Sequence, residues 1–438
     1  MIDEITIQNF KSYQYGTLQL APLTLLVGAN ASGKSNAIEA IRFLSWLAQG
    51  RRLDDIFEKV QQTDIAIRGT LGDLIYDQAQ ESTITLGCSL TNTGEWKELQ
   101  ISIQLKEDEE PRVVAESIRS EISTVPLYEI KHAADQHSRE VQVAYNNFAR
   151  GGKKPTIPCT DRQAIFTQLE IPSRFNEGQA RTTIPEVTSK FQQALQQILF
   201  LDPNPRSMGE YSFIVDRELR GDGSNLSSSL YNLCNVRDQK EDVLAFIRAL
   251  PEQDIVDINF IQTPRNEVMV QLTESFGDQK IQRDAPLLSD GTLRVLAVAA
   301  ALLSAAGGSF VIIEEIDNGV HPSRAGILLQ NIQRVAIERD LRVLLTSHNP
   351  ALLDSLPNSA IPNVVFCYRD PNGGDSRLIR LEDLNEYPEL IARGPLGELL
   401  TDGIIDRFVK QQRSPEQKRN EALDWLKLLQ HQVEEVHV

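Results

Sequence analysis

The stretch Leu23-Thr24-Leu25-Leu26-Val27-Gly28-Ala29-Asn30-Ala31-Ser32-Gly33-Lys34-Ser35-Asn36 decides the architecture. Its first five residues carry no charge and read as a buried strand. After it, Asn36–Gln49 (NAIEAIRFLSWLAQ) sets Ile38, Ile41, Leu44 and Leu47 about one turn apart, which predicts an amphipathic helix. Between strand and helix, Gly28–Ser35 spells G-x4-G-K-S, a phosphate loop in the context such a loop requires. The two glycines let the backbone curl so that successive N–H groups face anionic oxygens, and the helix N-terminus adds partial positive charge there. Lys34 is expected to reach the β and γ phosphates of a nucleoside triphosphate. The Ser35 hydroxyl would complete the water-rich shell of a magnesium ion. Asn30, Ala31, Ser32 and Asn36 complete the expected cradle.

Three distant segments suit the same ligand. Phe310-Val-Ile-Ile-Glu314-Glu315 is an apolar strand ending in two carboxylates, and strand alternation sends neighbouring side chains opposite ways. Glu314 is expected to hold magnesium through water, and Glu315 to orient or deprotonate the attacking water. Leu288-Ser289-Asp290-Gly291-Thr292 precedes an apolar helix; Ser289 is a natural N-cap, and Ser289, Asp290 and Gly291 also form an anion-binding start. Thr346-Ser347-His348 follows the strand RVLLT, so His348 is expected at a strand's carboxyl end, in reach of a terminal phosphate.

Outward from these motifs, Ile2–Phe10 and Thr17–Leu20 read as strands, and Thr83–Leu90 with Leu99–Leu105 as an antiparallel hairpin. The pattern weakens from Pro111 to Pro205, with a loop at Gly151–Pro155 and a helix over Glu186–Leu199. A helix over Asp238–Leu250 and a strand pair, Ile255–Gln262 and Glu267–Thr273, follow. From Pro286 the text alternates: helix Thr292–Ala306, strand Phe310–Ile313, helix Ser323–Arg339, strand Arg342–Thr346, then strands at Val364–Tyr368 and Leu378–Leu381. Such alternation predicts an α/β fold with a mainly parallel sheet. Ser414–Val436 reads as a charged amphipathic helix. The expected division is 1–75, 76–285, 286–382 and 383–438.

The chain has 438 residues and a formal net charge of −17 from 44 basic and 61 acidic side chains. That excess of acid argues against a general nucleic-acid coat, although a local basic groove is compatible with it. The four cysteines, Cys88, Cys159, Cys234 and Cys367, show no disulfide or zinc spacing, which suits a reducing, cytoplasmic setting. No apolar run reaches the ~20 residues of a membrane span, and the start lacks the pattern of a signal peptide.

With these four segments in this order, the chain resembles an ABC-type ATPase of the SMC/RecF/OLD-like branch. The segment Asn9-Phe10-Lys11-Ser12-Tyr13 is similar to the opening of SMC and RecF proteins, and EEIDNGVHP to the Walker B and D-loop of OLD-type ATPases. The resemblance implies an ABC-ATPase head with a phosphate-loop sheet, an antiparallel β subdomain and an inserted mixed helical lobe. It implies ATP and Mg2+ as ligands and a second copy as partner, meeting head to tail so that Ser289, Asp290 and Gly291 of one copy serve the other's ATP. Three departures stand out: Glu314 where Walker B usually has Asp, LSDGT where transporters have LSGGQ, and His321 in place of the D-loop aspartate. Gln61, Gln62 and several other glutamines compete for the Q-loop position, which stays open. No Glu…Asp-x-Asp cluster follows His348, so a nuclease effector is expected to be a separate protein, in anti-phage defence or DNA repair. The rival readings are a nucleotide-gated scaffold with little turnover and a transporter energy subunit.

Overall fold

A computed structural model describes residues 1–410 apart from 57–66, 107–108, 133–137, 177, 249–253, 278 and 318–321. The expected helix at 414–436, His321, Gln61 and Gln62 therefore lie outside the described residues. The chain opens with the hairpin β1 (Ile2–Phe10) and β2 (Tyr13–Gln19), then β3 (Leu23–Val27) and helix α1 (Lys34–Ala48). Six further strands follow: β4 (Thr83–Leu90), β5 (Trp96–Gln104), β6 (Arg112–Ser120), β7 (Tyr128–His132), β8 (Glu140–Tyr145) and β9 (Thr156–Thr160). They join the hairpin in an eight-stranded antiparallel sheet of order β2-β1-β4-β5-β6-β7-β8-β9. Strand alternation turns Ile5, Ile7, Ile84, Leu86, Leu99, Ile101 and Ile103 into one core with α1. The sequence announced the β4–β5 hairpin but not β6–β9. The register shift between Ser102 and Ile103, and the buried Glu116 within β6, interrupt the alternation that would have marked a strand.

Helix α2 (Ala180–Gln196) begins six residues before the expected start and stops short of Leu199, which belongs to strand β10 (Leu199–Leu201). Three apolar residues directly after a helix carry no period of their own, so this strand was hidden. A second antiparallel sheet takes β11 (Ser212–Phe213), β12 (Asp254–Gln262), β13 (Glu267–Phe276) and β14 (Gln279–Asp284), with helix α3 (Lys240–Ile247) packed on β12. β14 was not expected, because its QKIQRD text is solvent-facing and polar.

The remaining elements build the sheet that carries the motifs: helix α4 (Asp290–Ser304), β15 (Phe310–Ile313), helix α5 (Pro322–Glu338), β16 (Arg342–Thr346), β17 (Val364–Arg369) and β18 (Ser376–Arg380). The order is β10-β15-β16-β3-β17-β18, parallel throughout except for β18. Every residue of β3 and β15 is buried, as parallel strands covered on both faces require. Leu26, Phe310, Ile312 and Leu344 point into the core shared with α1 and the large antiparallel sheet. Leu25, Val27, Val311, Ile313, Val343 and Leu345 point to the other side, against α4 and α5. Wedged between two sheets, α1 is buried at twelve of its fifteen positions rather than along one amphipathic stripe. The eight-stranded sheet thus draws strands from both sides of residue 75, and β10 brings residues 199–201 to the parallel sheet. Past residue 383 the described chain forms short helices at Tyr387–Ala392, Leu396–Thr401 and Ile404–Lys410. Among the described residues no helix is long and apolar enough to cross a membrane.

Candidate functional site

The loop Gly28–Gly33 leaves the carboxyl end of β3 and enters α1. Its two glycines are obligatory: a Cβ at Gly28 (φ +155°) would meet the Cys367 carbonyl oxygen at 2.1 Å, and one at Gly33 (φ +119°) would meet Ser376 Oγ at 2.3 Å. The close approach has a cause. The β1–β2 turn and the β17–β18 hairpin brace the loop from outside. Tyr13 Oη donates to Gly33 O at 3.1 Å, Ser376 Oγ to Ser32 O at 2.6 Å, and Arg369 Nε to Ala31 O at 3.1 Å. Ser12 Oγ lies 2.7 Å from Ser376 Oγ and accepts from Asn36 Nδ2 at 2.8 Å.

No side chain caps the start of α1, so by helix geometry its first N–H groups stay available to an anion. Lys34 Nζ folds back onto Gly28 O at 2.6 Å and Ala29 O at 3.0 Å. Burial lowers the pKa of this ammonium, with Cys367 acting in the opposite direction. Ser32 Oγ is buried with no hydrogen-bond partner, an orphan that a phosphate oxygen would satisfy. Asn30 and Ala31 are exposed at the tip of the loop.

Consecutive residues of α1 face different cavities. Ser35 lines one of about 850 Å³, together with Glu314, Arg42, Asp202 and Asp222. Asn36 lines another of about 310 Å³, with Lys11, Ser12, Tyr76 and Arg369. Glu314 Oε1 accepts from Arg42 Nη2 at 2.8 Å. Glu315 is exposed, adopts φ +50°, and donates its N–H to Thr346 Oγ1 at 3.0 Å, two residues before the exposed His348. A left-handed glutamate at the end of a fully buried strand is a strained position that the surrounding sheet must enforce. Glu315 and the Thr346–His348 segment are thereby joined across β15 and β16.

Ser289 is the N-cap of α4: its Oγ accepts from Thr292 N–H at 3.1 Å. Ser289 and Asp290 are exposed and Gly291 is buried. Among the described residues, none of these three lines the cavity of Ser35 and Glu314. The structure thus gathers the phosphate loop, Glu314, Glu315 and His348 at the carboxyl ends of parallel strands, and sets the Ser289 segment on another helix start.

Among the described residues no group of three His, Cys, Asp or Glu side chains encloses a metal. One hydroxyl and one carboxylate in a shared polar cavity fit magnesium, which keeps several waters and takes its other ligands from phosphates. Residues the motifs did not name also shape the site. Glu39, 4% exposed, is ion-paired with Lys11 and with Arg68 Nε at 2.7 Å. The sequence reading missed Arg42, although Ser35, Glu39, Arg42, Trp46 and Gln49 recur at helical spacing and all line the same cavity, a signal that could have placed it on this face. Cys367 and Ser376 carried no local signal, because only the sheet brings them to the loop.

Two family models match the chain: an AAA domain over residues 4–202, and an AAA domain described as "putative AbiEii toxin, Type IV TA system" over residues 172–354. The chain is 20% identical to an "ATP/GTP phosphatase" of Helicobacter pylori over 367 residues, 81% of this chain and 87% of that protein. It is 38% identical to the DNA replication and repair protein RecF of Brucella abortus over 92 residues, 20% of this chain and 23% of RecF. Among solved structures, an SMC head bound to the C-winged helix domain of ScpA aligns over 87% of this chain and 98% of that one, at 13% identity and a TM-score of 0.46.

Proposed function

We propose that this ABC-type ATPase of the SMC/RecF branch binds Mg–ATP on its 28–35 loop, hydrolyses it with Glu315 and His348, and closes head to tail on a second copy to control a separate effector. One observation carries the reading: Ser35 and Glu314 share a cavity at the carboxyl edge of the parallel sheet, beside the phosphate loop. The ATP triphosphate would lie over the first turn of α1, its metal-bearing end toward Ser35 and Glu314 and its nucleoside toward the cavity of Asn36 and Tyr76. When bound, magnesium supplies charge neutralisation to the phosphates.

Lys34 would leave Gly28 O and Ala29 O for the phosphate oxygens. Glu315 orients the attacking water and takes its proton. His348 hydrogen-bonds the terminal phosphate and loses that contact when it departs. Exposed Ser289 with Asp290 and Gly291, at a capped helix start, would meet the triphosphate held by the other copy. A nuclease or other DNA-processing partner, in anti-phage defence or repair, is the setting that the family resemblance favours. The formal charge of −17 favours a protein partner over a general nucleic-acid coat.

Steady-state ATP hydrolysis by the wild type and Glu315→Gln tests the chemistry. Turnover by the wild type and its loss in the variant are expected; equal rates near zero would leave a nucleotide-gated scaffold instead. Light scattering with ATP tests assembly. Ser289→Arg should keep nucleotide binding while losing ATP-dependent dimers, and dimers that persist would refute the cross-copy role.

A further inference from the structure

Arg42 sits two turns along α1 from Lys34, and its guanidinium is engaged twice. Nη2 donates to Glu314 Oε1 at 2.8 Å, and the guanidinium carbon stands 4.4 Å over the centre of the Phe200 ring. The ring comes from β10, the edge strand beside β15, so two neighbouring strands and one helix fix the arrangement. The side chains of Arg42 and Glu314 are 18% and 28% exposed, leaving the pair open to the cavity that also holds Ser35. A pair that keeps some contact with water is weak enough to be exchanged, unlike a fully dry one.

We infer that Arg42 is a positioning residue that competes with the divalent cation for Glu314. In the nucleotide-free chain it occupies the carboxylate, and loading passes Glu314 from Arg42 to the hydrated metal. The inference rests on the reading of Glu314 as the magnesium-side carboxylate. The physical argument is charge. A guanidinium within hydrogen-bond distance of a carboxylate neutralises it and repels a dication at the same oxygen. Arg42 has somewhere to go: the Phe200 face holds the cation without Glu314, and Asp202 and Asp222 line the same cavity as alternative partners. Lys34 behaves likewise, satisfied by two loop carbonyls until phosphate arrives. Arg42 and Lys34 are thus both held on internal acceptors, which spares the protein buried unpaired charge.

The test compares the affinity of full-length protein for a nonhydrolysable ATP analogue in EDTA and in Mg2+, by calorimetry. The ratio of the two affinities reads the metal's contribution without any turnover. In Arg42→Gln and Arg42→Ala that ratio is expected to rise roughly fivefold over the wild type, the worth of one partly exposed ion pair. In the Glu314→Gln background the same Arg42 substitutions should leave the ratio unchanged, because the contested carboxylate is gone. A ratio that stays level or falls in the single variants overturns the competition, as does an equal rise in the Glu314→Gln background. Failure of the wild type to bind the analogue in either buffer overturns the nucleotide reading itself, a distinct result.

Discussion

Glu116 in the large antiparallel sheet and Glu314 at the end of the parallel one are both carboxylates carried inward by strands, and they are treated differently. Glu116 is 3% exposed, and its oxygens accept from Tyr128 Oη at 2.6 Å, Ile165 N–H at 2.7 Å and Phe166 N–H at 2.6 Å. It ties β6 to β7 and caps the short helix Ile165–Gln168. Burial raises its pKa to about 7, with the three donors pulling the other way. Glu314 has one hydrogen-bonded arginine and a cavity in front of it. A buried carboxyl held by three donors is a strut; one left facing a polar cavity is available to a ligand.

The contrast breaks first on Glu116→Ala. It strands a tyrosine hydroxyl and two backbone N–H groups, and should cost about 3–5 kcal/mol of unfolding free energy in a denaturant titration. A cost below about 1 kcal/mol would show that Glu116 is no strut. The pH dependence sharpens the same point. A raised carboxyl pKa means that the folded state holds its proton more tightly than the unfolded chain. Its stabilising contribution is full below the ordinary value of 4.5 and is lost as the pH rises to about 7. Relative to Glu116→Gln, the wild type should lose on the order of 3 kcal/mol across that window. Parallel pH profiles for the two proteins would reject this.

On the ligand side, Lys34→Ala should weaken ATP binding at least about tenfold, since it removes a charge-assisted bond worth about 1.5–3 kcal/mol. Calorimetry showing unchanged binding would move the nucleotide away from the 28–35 loop. The smallest effect expected is that of Ser289→Ala, a lost N-cap worth about 1 kcal/mol in thermal or chemical unfolding. A variant as stable as the wild type would mean that Thr292 N–H finds another acceptor.

The parallel sheet was far more legible than the antiparallel one. LTLLV, FVII and RVLLT are short apolar runs because both of their faces are covered, and each ends where a motif begins. The strands β6–β9 pack one face only and contain a buried glutamate and a register shift, so their period is broken in the text. β10 is the element least visible in the sequence and the one the cavity depends on most. Three residues long, it supplies Phe200 beneath Arg42 and leads to Asp202 at the cavity, and nothing in LFL distinguishes it from the end of the preceding helix.

From its sequence alone this protein determined the phosphate loop, the strand–loop–helix that presents it, and the carboxylates and histidine at the ends of two further strands. Those features are local: glycine freedom, apolar runs and capping act within a few residues of each other. Only the tertiary structure decided which side chains brace the loop and which charge faces Glu314. Ser376 and Cys367 reach the loop through β17–β18, and Phe200 reaches Arg42 through β10 at the sheet edge. Strand order in a sheet is set by packing between segments hundreds of residues apart, and no short window of sequence carries that information.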